Sequence, residues 1–273
     1  MTKCLRGHNK ILHTAYVTLW RKLRIAILLF ILATVAQAAW IARARTTEWN
    51  NTVRVVIYPV NGDGSGVAAG YIGGLRKAGF EPIEAFLGSE AAGYGVALRK
   101  PIEIDLALPV ASQPPSPPFG GNKLEVVLWS LQLRYWAWRH DDYRGPKPDV
   151  RIFVSYFDPA AHPRLAHSTG LQKGLIGVVN AFARADMDGS NNVVIAHELM
   201  HTFGATDKYA TGSNRPLFPE GYADPHAVPL YPQSRAEIMA GRIPVSETQA
   251  EMPVGMDEVA IGTVTAQEIN WVK

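Results

Sequence analysis

The stretch VVIAHELMHTFGATDKY, Val193 to Tyr209, restricts this chain more than any other. Its apolar residues recur at helical spacing around two histidines. His197 and His201 stand four residues apart, one turn along one face, so both imidazoles can point at a single ion. Glu198 lies about 100° round the helix from His197, outside direct coordination but within reach of a water held there. Gly204 can end the helix through a left-handed conformation that glycine adopts at little cost. The chain can then fold back, and Asp207, ten residues after His197, falls where a carboxylate closes the coordination sphere. A fold for this sequence must bring one helix, one sharp turn and one returning loop to a common point.

The full pattern, His197-Glu198-x-x-His201-x-x-Gly204-x-x-Asp207, resembles the metzincin metallopeptidases, whose long zinc motif ends in His or, in members such as the snapalysins, in Asp. The resemblance implies Zn2+ bound by His197, His201 and Asp207, with Glu198 as the general base. It implies a methionine turn beneath the metal, for which Ile238-Met239-Ala240-Gly241 offers Met239. It also implies an α+β fold: a zincin-like mixed sheet over an active-site helix, followed by a small irregular C-terminal subdomain. Some metzincins carry a tyrosine two residues after that methionine, where it stabilises the oxyanion. Gly241 stands there in this chain, and Tyr209 or Arg242 are the candidates for the role. By the same analogy GLIGVVN (Gly174–Asn180) is the edge strand that pairs with an extended substrate. Glu220, Asp224 and His226 are alternative ligands in a Pro-rich loop, but the spacing favours Asp207. His140, His162 and His167 lack ligand spacing and read as surface or structural histidines.

Charge is divided unevenly along the 273 residues. Residues 1–45 hold eight Lys/Arg and no acid, leaving 19 basic against 24 acidic residues in the remainder. That mildly acidic remainder argues against nucleic acid as a partner. Ile25–Ala42, IAILLFILATVAQAAWIA, is an uncharged run whose helix would span about 27 Å, with Trp20 and Trp40 at its ends. The expected organisation is a basic cytoplasmic segment (1–24), one transmembrane signal anchor (25–42), a linker (43–52) and an extracytoplasmic catalytic domain (53–273). Ala36-Gln37-Ala38 fits a cleavage pattern, so secretion after cleavage near Ala38 is the alternative. The one cysteine, Cys4, precedes the apolar run and offers neither an intrachain disulfide nor thiolate latency.

The remaining segments read as follows. Val53–Val60, Pro101–Val110 and Val150–Phe157 are strands. NGDGSG after the first of these is a plain turn into a helix. Lys123–His140 is a helix, and its stripe of Leu124, Val127, Leu128, Leu131, Tyr135 and Trp138 is read as core. ADMDGSNN is a turn with a helix N-cap at Ser190 or Asn191. Thr265 and Glu268 read as a capping box.

These features together lead to the expectation of a membrane-anchored, zinc-dependent metalloendopeptidase acting on peptide or protein substrates outside the cytoplasm. Two other readings share the motif. One is a zincin-fold binding or scaffold module without activity, against which the intact Glu198 speaks. The other is hydrolysis of a non-peptide amide or ester. Nothing in the sequence sets an oligomeric state.

Overall fold

The runs VRVVIYPVN and VRIFVSYF, rich in β-branched and aromatic residues, form the central strands of a five-stranded sheet. The computed structural model describes residues 4–118, 120–172 and 174–272. Five strands, β1 (Val53–Asn61), β2 (Ile102–Leu106), β3 (Val150–Phe157), β4 (Thr169–Leu171) and β5 (Ile176–Phe182), lie in the order β2-β1-β3-β5-β4. β1 is parallel to β2 and β3, β3 is parallel to β5, and only β4 runs antiparallel. β1 and β3 are buried along almost their whole length, as continuous apolar strands between two covered faces must be.

Parallel neighbours need crossovers, and helices supply them. After α1 (Cys4–Thr47), α2 (Gly66–Gly74) and α3 (Glu81–Gly93) connect β1 to β2, α4 (Lys123–Arg139) connects β2 to β3, and α5 (Asp188–Phe203) follows β5. The fold is therefore mixed α/β. This corrects the α+β expectation, although the mixed sheet itself was expected. Two compact units divide the chain, Met1–Ala44 and Arg45–Lys273.

The transmembrane span expected at 25–42 falls on α1, where several side chains lie outside the described residues. Among the described residues no helix is long and apolar enough to cross a membrane. The apolar run is one part of the 44-residue α1, whose described side chains from Trp20 to Thr34 include Arg21, Lys22 and Arg24. Several side chains of that span, among them Val35 and Ala38, lie outside the described residues.

Two further expectations are overturned. The GLIGVVN strand, β5, is not at the edge, because β4 pairs with its outer side through Thr169↔Val178, Gly170↔Gly177 and Leu171↔Ile176. The stripe read as the core face of α4 points outward: Leu124, Val127, Leu128, Leu131, Tyr135 and Trp138 are all exposed. The opposite face, Trp129, Leu133 and Ala137, packs against Tyr58 and Phe153 of the sheet.

After α5 the chain is irregular. It contains six two-residue strands, β6 (Tyr209–Ala210), β7 (Arg215–Pro216), β8 (Ala236–Glu237), β9 (Ile243–Pro244), β10 (Ala250–Glu251) and β11 (Val259–Ala260), and the short α6 (Thr263–Glu268). Trp49 fixes the base of α5 within the same unit. Its ring meets Phe203 edge-on at 5.1 Å, and its Nε1 donates to the Ile269 carbonyl at 2.7 Å.

Candidate metal centre

α5 starts at Asp188, not at a Ser190 or Asn191 cap. Asn191 instead ties the helix to the end of β5: its Oδ1 accepts from the Phe182 N–H and its Nδ2 donates to the Phe182 carbonyl. Gly170 on the edge strand lies so near α5 that a Cβ there would strike the Glu198 carbonyl oxygen and the His201 Cβ. The helix and the sheet edge are thus held as one surface. As expected, Gly204 ends the helix at φ 109°, with its N–H bonded back to Met200 and His201.

His197, Glu198 and His201 form a group whose ligand atoms lie within 4.8 Å of one another and could hold a metal ion. This cluster, on a helix after a mixed sheet, is compatible with a zincin-like motif. Carbonyls fix both rings. His197 Nδ1 donates to Ile238 O and His201 Nδ1 donates to Ala205 O, each at 2.8 Å, which leaves both Nε2 atoms facing inward. Asp207 Oδ1 lies 3.2 Å from Nε2 of His197 and 3.1 Å from Nε2 of His201. Donors around a tetrahedral ion with bonds of ~2.0–2.2 Å stand roughly 3.3–3.6 Å apart, so Asp207 Oδ1 lies from each Nε2 at nearly the separation two ligands of one ion would have.

The electrostatics follow from this crowding. Burial works against charge on His197, but Asp207, Glu198 and the Ile238 carbonyl outweigh it and push the imidazole up to about 9. Asp207 is partly buried, which opposes its charge, yet the two histidines hold its carboxyl well below the usual range. Burial pushes the Glu198 carboxyl up, against the opposing pull of both histidines. Its Oε2 is buried and has no hydrogen-bond partner. Tyr209 is pushed up to about 12, by burial first and then by the charges of Asp207 and Glu198, so its phenol keeps its proton at neutral pH.

A ligand histidine must be neutral, so metal uptake below about pH 9 has to displace a proton from His197. Calorimetric titration at pH 7 in two buffers of different ionisation enthalpy is expected to read about one proton released per ion. Release should fade, and affinity level off, as the pH passes about 9. An uptake at pH 7 that releases no proton would contradict this account of the site.

Met239 is fully buried, and its turn touches the site through the Ile238 carbonyl. Glu237 builds that turn and was not singled out in the sequence. Its Oε2 accepts from the N–H of Met239 (2.7 Å) and Ala240 (3.1 Å). Its Oε1 accepts from the Gly262 N–H (3.1 Å) and the Thr265 hydroxyl (2.7 Å). Lys208 was also missed. Its buried Nζ donates to Thr206 O and to Glu268 Oε2, at 2.9 and 2.8 Å, and so fastens the Asp207 loop to α6. Thr265 and Glu268 therefore brace the site and do not cap α6, which starts at Thr263 with no side-chain cap.

A cavity of about 550 Å³ opens beside the cluster, lined by Phe182, Val194, His197, Glu198, Tyr209 and Arg242 among others. His167 is on its wall. His140 instead bonds Ser112 and Trp136, and His162 stands 3.8 Å from Asp63. Neither Asp207 nor Glu220, Asp224 and His226 is in the cluster, although Asp207 alone of these lies against both histidines. No family model matches this chain, and no curated protein matches it.

Proposed function

We propose that this chain is a zinc-dependent hydrolase of peptide bonds, with the ion held by His197, His201 and Asp207 and with Glu198 handling the proton. The observation that carries the reading is Glu198 Oε2, buried and partnerless beside an open cavity. A buried carboxylate oxygen left unsatisfied costs stability, and a purely structural site has no use for it. By distance Glu198 belongs with the two histidines. We assign it to the proton because Asp207 Oδ1 already lies against both Nε2 atoms.

Zinc in such a site supplies Lewis acidity toward a carbonyl and lowers the pKa of water. The chain's own residues supply the rest. Glu198 accepts the proton of the attacking water and passes it to the leaving amine, and its burial keeps it basic enough to do so. Tyr209, protonated and on the cavity wall, donates toward the oxygen on which charge develops. The outer edge of β4, set against α5, offers main-chain hydrogen bonds to an extended peptide.

The test is digestion of a peptide library by the zinc-loaded full chain. Cleavage is expected, with loss on chelation and recovery when zinc is restored. Asp207→Ala is expected to weaken zinc by more than the roughly 10–100-fold that loss of a supporting group costs. Near-normal affinity in that variant would remove Asp207 from the ligand set. A metal-loaded chain that cleaves no library peptide would favour the scaffold reading.

A further inference from the structure

α4 is apolar on two sides, and only one of them is used. Trp129, Leu133 and Ala137 pack on the sheet. On the other side Leu124, Leu128, Leu131, Tyr135 and Trp138 are between 54% and 70% exposed. Their steps of 4, 3, 4 and 3 residues are those of a coiled-coil seam. A continuous apolar face of this kind on a folded chain marks a contact surface.

The flank of the seam indicates what covers it. Glu125, Gln132 and Arg139 follow one another at seven-residue intervals along one side, with acid at the start of the helix, base at its end and a neutral residue between. Lys123, Arg134 and Arg139 outnumber Glu125 on the helix, so net charge does not exclude a lipid surface; the order of acid first and base last is what an antiparallel copy of the same helix matches. With the two helices related by a two-fold axis, Glu125 of each copy meets Arg139 of the other, and Gln132 meets Gln132. In that register Leu128 faces Trp138 and Leu131 faces Tyr135, each a leucine against an aromatic ring, while Leu124 lies beyond the end of the partner helix. Within one chain the pair cannot form, because fourteen residues of helix separate Glu125 from Arg139 by about 21 Å.

We propose that α4 is a homodimer interface, formed by antiparallel pairing of its exposed seam with that of a second copy. A single helix pair covers less than the ~800 Å² per partner of a standard stable interface, which places it among the weak associations.

The test is sedimentation equilibrium of the full chain from about 1 to 100 μM. The unmodified chain is expected to dimerise. Glu125→Lys and Arg139→Glu, made singly, each set like charges together at two symmetric places and should weaken the dimer roughly tenfold. The double variant re-pairs them in reverse and should return to near the original strength. Any loss of helix capping at Glu125 is common to the single and the double variant, so the recovery reads only the contact between copies. Leu128→Ser with Leu131→Ser, at exposed positions, should leave a folded monomer. A chain that stays monomeric at 100 μM, a double variant as weak as the singles, or association indifferent to all of these changes overturns the proposal. So does a monomer that floats with phosphatidylcholine–phosphatidylglycerol vesicles and loses that binding in the Leu128/Leu131 variant, which would make the face a lipid contact.

Discussion

Glu198→Gln is expected to leave the chain folded and its metal in place while lowering peptide hydrolysis by a factor of about 10²–10⁴. The substitution keeps the shape of the side chain and removes only its ability to accept a proton. The two histidines and Asp207 are unchanged, so zinc content should be close to one ion per chain, as in the parent. The loss should appear in kcat more than in KM, because Glu198 acts on the reacting water and makes no ground-state contact that a glutamine amide could not replace. Stability should rise slightly or stay level, since burial disfavours the carboxylate that is removed. The measurement is steady-state cleavage of the best library peptide together with metal analysis of the same preparation. A variant that keeps both its zinc and its full rate would rule out Glu198 as the proton carrier and leave the proposed chemistry without a base.

The parts of this site that the sequence makes legible are those encoded within one turn of helix or one tight turn. The i, i+4 histidines, the neighbouring glutamate and the terminating glycine are local facts, and the structure places them together on α5 with Gly204 at φ 109°. Asp207 was reachable for the same reason, because only five residues lie between it and His201. The parts that were not legible depend on partners far along the chain. Glu237 reaches Gly262 and Thr265, and Lys208 reaches Glu268 sixty residues away, and neither pairing leaves a periodic trace. The Thr265–Glu268 spacing looked like a cap because capping boxes and tertiary braces use the same residue types.

The fold-level errors have related causes. α4 is apolar on both faces, so periodicity could not say which face meets the sheet. Trp129, Leu133 and Ala137 won because they fit over Tyr58 and Phe153. Whether a strand lies at an edge is set by what pairs with it, and a three-residue strand such as β4 is too short to be read beforehand.

Glu237→Ala is expected to be the most damaging single substitution away from the metal ligands. The side chain is fully buried and takes four hydrogen bonds. Its loss would not orphan all four donors. The Ala240 N–H also bonds the Glu237 carbonyl at 3.0 Å, and the Thr265 hydroxyl can rotate. The Met239 N–H would be left buried without a partner, at about 1–3 kcal/mol, the part-buried Gly262 N–H would lose its bond, and a cavity term adds to both. A destabilisation of about 3–5 kcal/mol follows, a large share of the 5–15 kcal/mol typical of a domain. Zinc affinity should fall as well, because the turn that Glu237 holds carries the Ile238 carbonyl that orients His197. Glu237→Gln separates packing from charge. Its one carbonyl oxygen can serve only one of the two donor pairs, and its amide faces the other, so an intermediate loss is expected. Urea unfolding and zinc titration of the three chains measure both effects. Equal stability in Glu237→Ala and the parent would mean that the turn holds itself, and that the four hydrogen bonds follow the site's geometry without setting it.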